Sequence, residues 1–166
     1  MSKTSCFLQM ASRLRNQSKL AALMPPCCRK VRALIEAGAA YYSDEFAVLD
    51  KAGHVHPYPL PLSLRDKNGQ PGRKILPESL AADVGAEPLP VGLVVVTHYQ
   101  PRAHWRPQTL SPAQAMLALM DNTVAARREP TYSMPILKRA VMGVKSVQSK
   151  RGEAKRVGPA LLQLVQ

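Results

Sequence analysis

Three observations predict an α/β fold. Val91-Gly92-Leu93-Val94-Val95-Val96 is a continuous apolar run, the pattern of a strand covered on both faces. Ser111-Pro112-Ala113-Gln114 has the makings of a helix start: a capping serine, a proline at the first helical position, and a glutamine that completes a capping box. Along the chain the patterns read helix, strand, long loop, strand, helix, an order that lays helices against a sheet.

The elements follow in order. Residues 1–27 form a poorly patterned, helix-compatible arm ending at Pro25-Pro26, and no glycine precedes Gly38. Between Cys28 and Ala37, Val31, Leu34 and Ile35 make the apolar stripe of a short amphipathic helix, which Gly38 stops. Tyr41-Tyr42 and Phe46-Ala47-Val48-Leu49 are strand-like and flank the polar Ser43-Asp44-Glu45. Asp50-Lys51-Ala52-Gly53 reads as a turn. His54 to Leu64 resumes in short extended pieces, with Pro57, Pro59 and Pro61 suited to edges. Residues 66–90 read as a surface loop with one helical turn. After the Val91–Val96 strand, a helix over 113–126 presents Met116, Leu119, Met120 and Val124. A helix at Tyr132–Met142, a strand at Val144–Ser149 and an amphipathic helix from Gly152 to Val165 complete the chain. The Val91–Val96 strand is expected to be central, with 113–126 and 153–164 packed on it and the arm loosely attached.

The 166 residues suffice for one domain, and 46% hydrophobic with 20% charged residues excludes a disordered tail. No stretch approaches the roughly 20 apolar residues of a membrane span, and no signal-type apolar run opens the chain. The expectation is therefore a cytoplasmic protein that does not engage the membrane. Cys6, Cys27 and Cys28 are odd in number, and Cys27-Cys28 lacks the gap of a zinc pair, so reduced thiols are expected. The formal charge of +12 is uneven: residues 1–40 carry +6, residues 41–100 carry −2 and residues 101–166 carry +8. That balance fits polyanionic partners, nucleic acid or an acidic protein face, and equally fits solvated basic helices.

Several segments together resemble a known family. They are Ala33-Leu34-Ile35-Glu36-Ala37-Gly38-Ala39-Ala40-Tyr41-Tyr42-Ser43-Asp44-Glu45-Phe46, His56-Pro57-Tyr58-Pro59-Leu60-Pro61-Leu62-Ser63-Leu64-Arg65 and Leu89-Pro90-Val91-Gly92-Leu93-Val94-Val95. With Leu110-Ser111-Pro112-Ala113-Gln114-Ala115 and Asn122-Thr123-Val124, they look like the HPr kinase/phosphorylase-related P-loop kinases over about residues 28–165. The resemblance implies a P-loop, PEP-carboxykinase-like layer with C-terminal helices. It also implies ATP and Mg²⁺ as cofactors, and transfer of a phosphoryl group to a serine of a small protein or peptide. Asp44 and Glu45 match the family's acidic pair. They would hold Mg²⁺ and accept the proton of the attacking hydroxyl, with Asp44 as base; a strand cap in a solvated turn is the plainer reading.

The phosphate loop departs from the pattern. A G-x-x-x-x-G-K-[ST] loop cradles phosphates on backbone amides and a lysine. Counting back from Gly38 puts Cys27 at the lysine and Cys28 at the hydroxyl residue, with Pro26 and Ala21 where glycines belong. Residues 28–166 thus read as a kinase-like domain lacking that loop, a remnant or pseudo-enzyme inactive as written. The alternative is a non-catalytic basic module binding an acidic protein or nucleic acid. The abrupt start of the pattern near residue 28 carries a further expectation: the DNA for residues 1–27 and its upstream flank, read in the other two frames, contains a β-rich run followed by the phosphate-loop motif.

Other groupings are thinner. His54 and His56 share a strand face without further metal ligands and read as partly exposed structural histidines. Ser43 beside Asp44 has no histidine placed by spacing. Trp105, between His104 and Arg106 with Arg102 nearby, reads as a loop aromatic covering the core rather than a stacking platform. Arg127-Arg128 and Lys138-Arg139 suit helix C-termini.

Overall fold

The apolar run and its flanks form the axial strand of the sheet in the computed structural model, which describes residues 8–12, 20–24, 28–44, 46–63, 74–80 and 83–165. In chain order the elements are β1 (Leu8–Ser12), β2 (Leu20–Met24), α1 (Cys28–Glu36), β3 (Ala39–Ser43), β4 (Val48–Leu49), β5 (His54–His56), β6 (Leu62–Ser63) and β7 (Lys74–Ile75). A turn of 3₁₀ helix at Pro77–Leu80 leads to β8 (Leu89–Tyr99), β9 (Gln108–Thr109), α2 (Pro112–Asp121), α3 (Val124–Arg128), α4 (Pro130–Val141), β10 (Lys145–Arg151) and α5 (Ala154–Val165).

The main sheet runs β3-β1-β2-β8-β10-β9. β2, β8 and β10 are parallel, β1 is antiparallel to β2 and β3, and β9 is antiparallel to β10. The β4–β5 hairpin leans on the amino-terminal end of β8, pairing His54 with Pro90 and Val55 with Leu89. Residues 83–85 line β3: Tyr41 N–H donates to the Asp83 carbonyl and Gly85 N–H to that of Tyr41.

Helices cover both faces. α2, α3 and α4 enclose a core containing Tyr42, Val55, Val91, Val94, Leu119, Leu137 and Val141. α1 and α5 enclose another containing Val31, Leu34, Tyr41, Leu93, Val95, Val147, Val157 and Leu161. Val91 and Leu93, two apart on β8, serve opposite faces because the β2–β8 register slips between Ala21↔Val91 and Ala22↔Leu93. Gly92 is the extra residue, and a bulge reverses the alternation beyond it. Val94 and Val95 are fully buried, as the central-strand expectation requires.

Three expectations need correcting. The arm was read as helix-compatible and loosely attached, yet residues 8–12 and 20–24 are strands, with β2 beside the axial strand. Leu20-Ala21-Ala22-Leu23-Met24 has no β-branched or aromatic residue and prefers helix locally, so pairing with β8 overrides propensity. The helix over 113–126 is two: Asn122 Nδ2 donates to the Ala118 carbonyl and Thr123 Oγ1 to that of Leu119, so α2 closes and α3 starts anew. Val124, assigned to the apolar face, is consequently 66% exposed. Phe46 and Ala47 precede the strand they were assigned to, and Phe46 is exposed. Much of the loop expected over 66–90 lies outside the described residues; its helical turn is Pro77–Leu80. The helices at 28–36, 130–141 and 154–165 and the strand at 145–151 fall where the sequence placed them.

Candidate functional site

In a parallel sheet, loops and helix N-termini gather at the carboxyl ends of the strands, where ligands bind. Here β2, β8 and β10 point one way. β3 shares their direction because β1 runs antiparallel to both β2 and β3. Met24, Ser43, Tyr99 and Arg151 therefore end their strands at a common edge. The chain enters α1 and α5 from that edge, and both helices return along one face, side by side.

Asp44 follows β3 directly and is 2% exposed; Ser43 is fully buried. Tyr41 donates its hydroxyl hydrogen to the Leu60 carbonyl at 2.7 Å and lies 3.4 Å from Asp44 Oδ1. Ser43 Oγ accepts from Phe46 N–H at 3.3 Å. A general base must reach the proton it removes, and in this structure the Asp44 carboxylate is enclosed. Glu45, the other half of the pair, lies outside the described residues.

The positions that would form a phosphate loop, 21–28, do not fit ATP. Residues 21–24 are extended, 21–23 of them paired on both sides, Ala21 opposite Ala11 and Val91, and Cys28 is already helical. Residues 25–27, Pro-Pro-Cys, lie outside the described residues; in sequence they are all that separates strand from helix, and they include no lysine and no glycine. Among the described residues no cluster of three or more His, Cys, Asp or Glu side chains could hold a metal.

At the same edge β8 and β10 bring together a group that sequence reasoning missed. Tyr99 and Arg151 are in register, and the Arg151 guanidinium lies 5.2 Å from the Tyr99 ring centroid. Arg151 is 8% exposed; Nη1 donates to the Gly152 carbonyl at 3.1 Å, and Nε has no hydrogen-bond partner. Tyr99 donates its hydroxyl to Glu153 Oε1 at 3.0 Å. The two residues stand on strands far apart in sequence, and nothing local in either announces the pairing.

The two histidines serve the Asp50 turn. Asp50 Oδ1 accepts from Ala52 and His54 N–H at 2.8 and 2.9 Å, and Oδ2 lies 3.2 Å from His56 Nε2 and 3.5 Å from His54 Nδ1. Desolvation raises the Asp50 carboxyl pKa. The His54 amide, the His56 ring, the Ala52 amide and the His54 charge outweigh it, and the net shift is downward. Trp105 packs half-buried against the α1/α5 core, as a covering aromatic does. No helix among the described residues is long and apolar enough to cross a membrane. Comparison with family models, curated proteins and solved structures found no match to the chain.

Proposed function

We propose that the chain is a non-phosphorylating relative of the HPr-kinase-type P-loop kinases, a cytoplasmic pseudo-enzyme of a serine kinase. One observation carries this reading. β2, α1 and β3 follow one another as the strand, helix and acid-bearing strand of such a kinase, but residues 25–27 alone stand where an eight-residue loop is needed. The enclosed Asp44 supports it: the acid of the resemblance is present as a buried side chain beside Tyr41. ATP and Mg²⁺ belong to the active relatives, and a small protein or peptide is their substrate class.

A strand directly before an altered loop is what loss of activity on an intact sheet leaves behind. β2 therefore favours an evolved non-catalytic protein over a join of two reading frames. Calorimetry with Mg-ATP tests the proposal. No binding tighter than about millimolar is expected, since loop amides and lysine supply the charge-assisted bonds that the triphosphate needs. Micromolar binding overturns it. The frame-shift account makes the opposite forecast at the DNA level, a phosphate-loop motif in another frame before codon 28; frames without one leave the evolved loss standing.

A further inference from the structure

The carboxyl ends of β8 and β10 carry a concentrated positive charge. Residues 98–106 and 150–156 hold Arg102, Arg106, Lys150, Arg151, Lys155 and Arg156 against a single acid, Glu153. All of these cations except Arg151 are exposed. Lys155 and Arg156 occupy the first turn of α5, which has no acid, so they face the positive end of the helix dipole. Arg151 adds a cation that is more than nine-tenths buried, with Nε unpartnered and Nη1 on the Gly152 carbonyl, the backbone that leads into α5.

The neighbouring turn is stitched to this spot. Gln100 N–H donates to the Arg151 carbonyl at 2.9 Å, and a Cβ on Gly152 would stand 2.8 Å from the Ala103 oxygen. Arg102 at the turn's tip has a φ of 62° and is exposed. Amid these charges Tyr99 is 55% exposed, braced by the Arg151 guanidinium and by its own bond to Glu153. Glu153, the single acid within these two stretches, accepts a hydrogen bond from Tyr99.

We propose that this surface binds single-stranded nucleic acid. Arg102, Arg106, Lys155 and Arg156 hold successive phosphates around the N-terminus of α5, Lys150 takes one from the other face of the strand end, and an unpaired base stacks on Tyr99. The aromatic decides between polyanions. An acidic protein face pairs with cations but offers Tyr99 an aromatic only where one flanks its carboxylates, and a duplex keeps its base faces stacked on one another; a single strand supplies a phosphate and a free base face at every nucleotide.

Fluorescence anisotropy of the full chain with a labelled oligothymidylate tests this. Affinity should fall with log salt at a slope of about −0.7 per phosphate contacted, about −3.5 for five contacts. Tyr99→Ala should bind about tenfold more weakly with the slope unchanged, and Tyr99→Phe, which keeps the ring, should bind as the parent. Lys155→Gln with Arg156→Gln should flatten the slope by about 1.4 units. Lys138→Gln with Lys145→Gln, away from this edge, should leave binding as it was. Three results overturn the proposal: no binding near physiological salt, equal losses from the two charge pairs, or competition by polyglutamate as effective as by unlabelled oligonucleotide. Tyr99→Ala binding as the parent does the same. Thermal melts of each variant identify any loss that comes from unfolding.

Discussion

Gly158 on α5 faces the backbone of Ala33 on α1, so closely that a Cβ on Gly158 would lie 3.2 Å from the Ala33 oxygen. A mid-helix glycine costs roughly 1 kcal/mol relative to alanine. Here it lets two helices on one face of the sheet approach each other, with Val157 and Leu161 on either side of the contact buried in their shared core.

Enlarging that position should separate the helices. Gly158→Leu is expected to lower stability by about 1–3 kcal/mol through overpacking, read as a lower urea midpoint. Gly158→Ala should come out near neutral, since helix propensity gained offsets crowding. A leucine variant as stable as the parent would show that the helices are free to part.

Asp44 is expected to matter for stability. Its burial beside Tyr41 and Ser43 makes Asp44→Ala destabilising by roughly 1–3 kcal/mol, because hydrogen-bonding groups around it lose an acceptor. Calorimetry with Mg-ATP should look the same for parent and variant. Unchanged urea stability would remove the structural role.

Tyr42 and Gly85 form a matched pair. The Tyr42 ring lies where a Gly85 Cβ would be, and its hydroxyl donates to the Glu87 carbonyl at 2.8 Å. Burial, followed by the Glu87 charge, raises the Tyr42 pKa, so the phenol stays protonated and donating through neutral pH. Gly85→Ala should cost about 1–3 kcal/mol. In a Tyr42→Leu background the same change should cost less, a coupling of about 0.5 kcal/mol or more in a double-mutant cycle. Additive losses would separate the two residues.

The Asp50 turn gives stability a pH dependence of known sign. The folded carboxyl titrates below its ordinary value of 3.8, so the folded state favours the ionised form. Its contribution is complete above the unfolded pKa and is lost as pH falls through the folded one. Asp50→Asn should therefore flatten the acid limb of a stability–pH curve below about pH 4. An unchanged limb would mean that the turn does not sense the charge.

What the sequence disclosed follows from which signals are local. The Ser111 cap, the Val31-Leu34-Ile35 stripe and the Val91–Val96 run each state their environment within a few residues, and each element is found in place. At Gly38, with φ 93°, helix α1 stops as glycine placement implies. β2 was illegible because its residues favour helix, and only β8, far along the chain, makes them a strand. The candidate site divides in the same way. Asp44 is visible from its position after a tyrosine pair, whereas the bond that fixes the neighbouring Tyr41 hydroxyl, to the Leu60 carbonyl, comes from nineteen residues along the chain. Arg151 read as one basic residue among many until strand register placed it under Tyr99.

The order of strands has a consequence for how the chain is made. β1, β2, α1 and β3 leave the ribosome before β8, and the free edge of β2 finds its partner only when β8 arrives, Ala21 against Val91. Until then a nascent chain carries an open row of backbone donors and acceptors beside apolar residues, a template for pairing with other chains. Closure of the sheet is thus a late, long-range event, and fragments ending before residue 89 should aggregate where the full chain remains in solution.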